Sequence, residues 1–135
     1  MFYTIVKRIG NYSHVKRGKR TDLGNSNFRS AAEANYARIL NFYIAQNLIQ
    51  KWEFEVQEFE FPKKRGIRFY LPDFRITNND GSIEFHEVKG YMNRESVVKL
   101  NAMKKYYPDV KLVLIDSKRY AVLSKQFRGI IKNWE

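Results

Sequence analysis

The chain predicts an α/β domain in which a mixed central sheet carries helices on both faces. Three observations predict it. Apolar residues recur at helical spacing after Ser30, two apolar runs flank the cluster Asn78-Asn79-Asp80-Gly81, and the nearly continuous apolar run Val110–Ile115 lies between two further helical patterns. At 135 residues the chain suits one domain with one core, divided here into a basic arm, 1–29, and a folded unit, 30–135.

The arm holds Lys7, Arg8, Lys16, Arg17, Lys19, Arg20 and Arg29 against Asp22 alone, which is +6 of the chain's net +11. Its first eight residues have the composition of a strand. Residues 11–28 contain Gly18, Gly24, Asn25, Ser26 and Asn27 and predict a mobile loop. A helix follows from Ser30 to about Ile49, with Tyr36, Ala37, Leu40, Ile44 and Leu48 on its buried stripe. One turn back, that stripe lands on Glu33. Ser30-Ala31-Ala32-Glu33 also fits a capping box, in which Glu33 returns to the Ser30 amide, so capping and chemistry both remain open for this acid.

From Lys51 to Phe61 the apolar parity slips near Gln57, which predicts a bulge or bend in a long strand. The basic turn Pro62–Gly66 leads into Ile67, Phe69 and Leu71, whose alternation slips again at Pro72. Proline belongs at a sheet edge or irregularity, where the next side chain, Asp73, can be re-aimed. If Asn79-Asp80-Gly81 forms a three-residue loop with Gly81 left-handed, Asn78 pairs with Ser82 and Asp73 stands opposite Glu87. Lys89 then shares their face and His86 takes the other, in a structural role. A helix at about Glu95–Tyr107 directs Val97, Leu100, Met103 and Tyr107 inward. Val110–Ile115 predicts a central strand covered on both faces, and a last helix, Ala121–Lys132, presents Leu123, Phe127, Ile130 and Trp134.

Composition narrows the function. The absence of cysteine excludes disulfides, thiol catalysis and thiolate zinc sites, and no apolar run is long enough to span a membrane, so an intracellular, cytoplasmic protein is expected. The basic excess points to a polyanion, usually nucleic acid, over an unspecialised basic surface or a membrane. Phosphate contact by Lys16, Arg17, Lys19 and Arg20 competes with a solvated tail. Directly opposed carboxylates repel unless a cation lies between them. Asp73, Glu87 and the Val88 carbonyl form an oxygen donor set suited to Mg²⁺, with Lys89 placed to orient water; the alternative is a strand-end acid beside a surface ion pair.

Pro72-Asp73, a 13-residue gap and Glu87-Val88-Lys89 resemble the PD-(D/E)XK nuclease motif. Phe28-Arg29-Ser30-Ala31-Ala32-Glu33, Leu71-Pro72-Asp73-Phe74 and Glu87-Val88-Lys89-Gly90 are similar to the phage endonuclease I family of Holliday junction-resolving enzymes over roughly residues 28–115. The resemblance implies a restriction-endonuclease-like αβββαβ core. It implies a metal-dependent endodeoxyribonuclease acting on four-way DNA junctions as a homodimer, in the cytoplasm of the host cell if phage-encoded. Glu33, Asp73, Glu87 and the Val88 carbonyl would bind Mg²⁺, with Mn²⁺ able to substitute, and Lys89 would assist the water. Arg29 and Ser30 would join the arm in binding DNA, while Glu53 and Glu55 both remain candidates for a further acid. A linear-duplex or mismatch nuclease and a non-catalytic DNA-binding protein are the alternatives.

Overall fold

A computed structural model describes residues 17–24 and 26–135. The first eight residues, His14 and Lys16 lie outside the described residues. The architecture of the described residues is mixed α/β, with a four-stranded mixed sheet, two small ribbons and three helices. Strands β1 (Gly18–Lys19) and β2 (Asn27–Phe28) pair around a 3-10 turn at Thr21–Leu23. Helix α1 (Ala31–Ala45) follows, then β3 (Lys51–Phe54), β4 (Phe59–Glu60), β5 (Phe69–Tyr70), β6 (Phe74–Thr77), β7 (Ile83–Lys89), α2 (Arg94–Tyr106), β8 (Leu112–Asp116) and α3 (Ser117–Phe127). The main sheet runs β3-β6-β7-β8, antiparallel except for the parallel β7–β8 pair. Among the described residues, no helix is long and apolar enough to cross a membrane.

The part of the predicted loop that is described is folded. Leu23 and Phe28 enter the main core, because two large apolar side chains outweigh the turn-forming residues between them. Ser30 caps α1 by accepting the Glu33 amide at 3.1 Å. Residues 31–40 are buried all round rather than along one stripe. The sheet covers one side. On another, Arg38 binds Asp22 at 2.8 Å and Glu135 at 2.8 Å, so its buried charge is paired. The helix ends before Leu48, which is 61% exposed.

The expected strand 51–61 is two strands. Phe54 pairs with Phe74 but Phe59 pairs with Tyr70, so residues 55–58 face only 71–73 and the ladder resumes one residue out of step. Across the break, Tyr70 rather than Phe69 or Leu71 is buried, and it enters the α2 layer, whereas Phe74 and Ile76, of the same parity, enter the α1 core. The alternation therefore slips between β5 and β6, in the gap that holds Pro72.

Two cores follow from the layers. Phe74 lies under Phe54 and Tyr36, with ring centroids at 5.2 and 5.5 Å, among α1, β6, β7 and Phe127. On the other face Phe59, Phe61, Tyr70 and Phe85 pack on Ala102 and Met103 of α2. Val97 is exposed instead, a turn before the helix meets that layer. Among the described residues strand β8 pairs with β7 alone, and its apolar run serves α3 and α2 on its two faces. Helix α3 stops at Phe127, which leaves Ile130 exposed, while Trp134 stacks on Tyr120 at 6.4 Å.

The hairpin turn matches its expectation. The Asn78 amide donates to the Ser82 carbonyl at 2.8 Å, and Gly81, with φ 86°, donates to the Asn78 carbonyl at 2.9 Å. A Cβ at Gly81 would meet nothing within 4 Å, so the turn selects glycine through its backbone alone. Gly81→Ala should therefore lower unfolding stability by about 1–2 kcal/mol in denaturant titration, with no change in the spectrum of the folded state.

Candidate functional site

The register Phe74↔His86, extended by one residue, sets Asp73 against Glu87 just beyond the end of the ladder. Asp73 is 1% exposed. Its Oδ2 accepts the Val88 amide at 2.8 Å, and its Oδ1 accepts from Arg29 Nη2 at 3.3 Å. The Glu87 Oε1 accepts the Tyr70 hydroxyl at 2.9 Å, so the small ribbon reaches the hairpin acids through Tyr70.

Glu33 arrives from the first turn of α1. Its Oε1 accepts the Arg29 amide at 2.9 Å, one residue before the Ser30 amide of the expected capping box, and its Oε2 lies 3.7 Å from Arg29 Nε. The fourth acid is Glu55. It has φ 52° at the end of β3, where its amide donates to the Asp73 carbonyl at 2.8 Å, and its Oε2 meets Arg29 Nη1 at 2.6 Å. A left-handed conformation costs a non-glycine residue on the order of 1 kcal/mol, and here it swings the carboxylate off the strand's regular alternation toward the other acids. Glu53, two residues earlier, instead pairs with Arg75 at 2.9 Å. The choice between these two acids thus depends on the bulge.

Four acids from four segments therefore surround one another, with Arg29 among Glu33, Glu55 and Asp73. Burial raises the Asp73 carboxyl well above its ordinary range, and repulsion from Glu87 and Glu33 adds to it. Burial raises Glu33 as well, against the Arg29 amide and guanidinium. Glu87 is raised by burial too, against the Tyr70 hydroxyl and Lys89. Arg29, Glu55, Glu87 and Lys89 line one open pocket of about 340 Å³, whose far wall is Asn93, Ser96 and Lys99 of α2 and its cap.

Other predicted residues stand apart. Arg17 and Lys19 are exposed, but Arg20 is engaged with Glu135 through two 2.8 Å hydrogen bonds. Arg29 is turned into the acids, and Ser30 is occupied as the helix cap. Val88 offers its amide to Asp73 while its side chain lies in the core. His86 faces α1, between the Tyr36 hydroxyl at 2.6 Å and Glu84 at 2.7 Å, and burial lowers its pKa.

Among the described residues, no three His, Asp or Glu side chains are gathered closely enough to hold an ion as they stand. The acids close on a guanidinium instead. As a donor set they are all oxygen and anionic, which fits a hard divalent cation and no soft one.

A family model described as a protein of unknown function (DUF1064) matches residues 13–122. No curated protein and no solved structure matches the chain.

Acids raised by burial bind more protons folded than unfolded. Over the window from the ordinary carboxylate value, about 4, up to the raised values, the contribution of these acids to stability must therefore fall as pH rises, while buried His86 contributes in the opposite sense near neutrality. Calorimetry in EDTA should show the metal-free wild type gaining stability relative to Asp73→Asn on acidification from neutrality through that window. At neutral pH Asp73→Asn should raise the melting temperature by a few degrees, since the amide oxygen keeps the Val88 bond and removes a buried charge.

Proposed function

The chain belongs to the DUF1064 family, and for this member we propose a metal-dependent endodeoxyribonuclease with a restriction-endonuclease-like core, hydrolysing phosphodiester bonds in branched DNA as a phage Holliday junction resolvase would. The observation that carries the proposal is the convergence of Glu33, Glu55 and Asp73 on Arg29, with Glu87 opposite Asp73, at the edge of a pocket that Arg29, Glu55, Glu87 and Lys89 line. Acids buried together and raised above their ordinary range are costly to the fold, and such cost collects at sites of chemistry. The order of helix, three main-sheet strands, helix and strand supports the same reading, as do the 25 basic residues against 14 acidic ones.

In the proposed mechanism Asp73, Glu87, Glu33 and the Val88 carbonyl would hold Mg²⁺, or Mn²⁺ in its place. The ion would supply polarisation of the scissile phosphoryl oxygens, charge for the leaving oxygen and a more acidic bound water. The chain's own residues do the rest. The Val88 amide fixes one oxygen of Asp73 and leaves the other directed into the site, and the Tyr70 hydroxyl does the same for Glu87. Lys89 orients the attacking water and offsets the negative charge that builds in the transition state. Lys99, on the opposite wall, faces the strand that enters. Two copies cutting opposite strands would give a symmetric product from a four-way junction.

The test is incubation with Mg²⁺ and a labelled four-way junction beside the same arms as linear duplex. The junction should be cut, and Asp73→Asn and Glu87→Gln should each slow single-turnover cleavage at least about 10²-fold with binding undiminished. No cleavage of any DNA with Mg²⁺ or Mn²⁺ would leave a DNA-binding protein without catalysis. Equal cutting of linear duplex would remove only the junction preference.

Binding should also weaken steeply with salt. Neutralising the exposed Arg17 and Lys19 together should reduce the slope of log K against log salt by about 2 in fluorescence anisotropy. Neutralising Arg20 should change it less, because Glu135 holds that side chain. An unchanged slope for the first pair would take β1 out of the interface.

A further inference from the structure

Glu33 and Asp73 share a pattern. In each, one carboxylate oxygen is pinned by a backbone amide, Glu33 Oε1 by Arg29 and Asp73 Oδ2 by Val88, and the other is turned toward the Arg29 guanidinium. Glu55 adds a third presented oxygen, its Oε2. These three come from α1, the bulge after β3 and the start of β6, and they approach three different guanidinium nitrogens at 3.7, 3.3 and 2.6 Å. The fit is uneven. Only the Glu55 contact is short, the Glu33 contact is longer than a hydrogen bond, and one positive charge faces three carboxylates.

We infer that Arg29 is an exchangeable internal cation: it holds Glu33, Glu55 and Asp73 in the metal-free protein, and the same three presented oxygens take a divalent cation when its side chain swings out. This rests on the metal-dependent reading above and adds Glu55 to the donor set. A small divalent ion approaches carboxylate oxygens to about 2.0–2.1 Å, closer than any guanidinium nitrogen can, and brings twice the charge. The Arg29 side chain is 50% exposed, so it can leave toward solvent with the core untouched. Once outside, its charge sits at the mouth of a pocket that Lys89 and Lys99 also line, where an anionic phosphodiester would enter.

Exchange has a thermodynamic signature that activity does not report. Cation binding must break the Arg29 ion pairs, so removing the guanidinium removes a competitor. Calorimetric titration with Mn²⁺ should give an affinity about 10-fold tighter for Arg29→Met than for the wild type, and Asp73→Asn should lose the binding. In parallel, the Arg29 Nε–Hε signal of the ¹⁵N-labelled wild type, assigned by its absence in Arg29→Met, should move toward that of a solvated arginine as Mg²⁺ is added. This second readout needs no variant to bind metal. Mn²⁺ bound with equal or weaker affinity by a folded Arg29→Met, or an Arg29 signal unmoved while Mg²⁺ binds, would overturn the exchange and leave the metal site standing. No binding of either ion to any form would overturn both.

Discussion

The constraint on which the rest depends is the register of one hairpin. Pairing Phe74 with His86 leaves no choice about Asp73 and Glu87: two carboxylates are brought together at the end of the sheet, where Asp73 is buried and Glu87 is half-buried. A fold that accepts this must supply compensating charge and donors from elsewhere, and each neighbouring element does so. The Val88 amide comes from the hairpin itself, the Tyr70 hydroxyl from the ribbon, and the Arg29 guanidinium from the turn before α1. Polar groups gathered at such cost are held in place by their surroundings rather than by mutual attraction.

Those surroundings are aromatic. Phe74, adjacent to Asp73 in the chain, is fully buried among Phe28, Phe54, Tyr36 and Trp52, so the residue beside the buried acid is locked by packing on the α1 face. The same face holds His86 between Tyr36 and Glu84, a short polar chain that satisfies the imidazole and ties α1 to β7. Chemistry and cohesion are thus separated by parity along one strand: Phe85, Glu87 and Lys89 look one way, His86 and Val88 the other.

How much of this was legible in the sequence depended on distance along the chain. The Gly81 turn, the Asp73–Glu87 opposition and the Ser30 cap rest on interactions within a few residues or one register count, and they appear as expected. The sequence leaves Glu55 as one of two candidates with Glu53, because its direction comes from a positive φ that only the bulge against Asp73 imposes. No composition signal marks such a residue when it is not glycine. Arg29 reads as a phosphate contact because basic residues near a helix start usually are, and its three acid partners come from segments too distant for the sequence to show. The engagement of Arg20 with Glu135 is likewise invisible in the sequence, the partner lying 115 residues away.

The bulge at residues 55–58 places two kinds of fitness in opposition. Deleting one residue there would let β3 and β4 run on as one ladder against β5 and β6, relieve the left-handed Glu55 and add main-chain hydrogen bonds. The same repair would turn Glu55 away from Asp73. A lineage selected for thermal endurance alone would be expected to lose the extra residue, so its retention across DUF1064 chains would trace which of them still depend on the fourth acid, and its loss would mark descendants that keep the scaffold for something else.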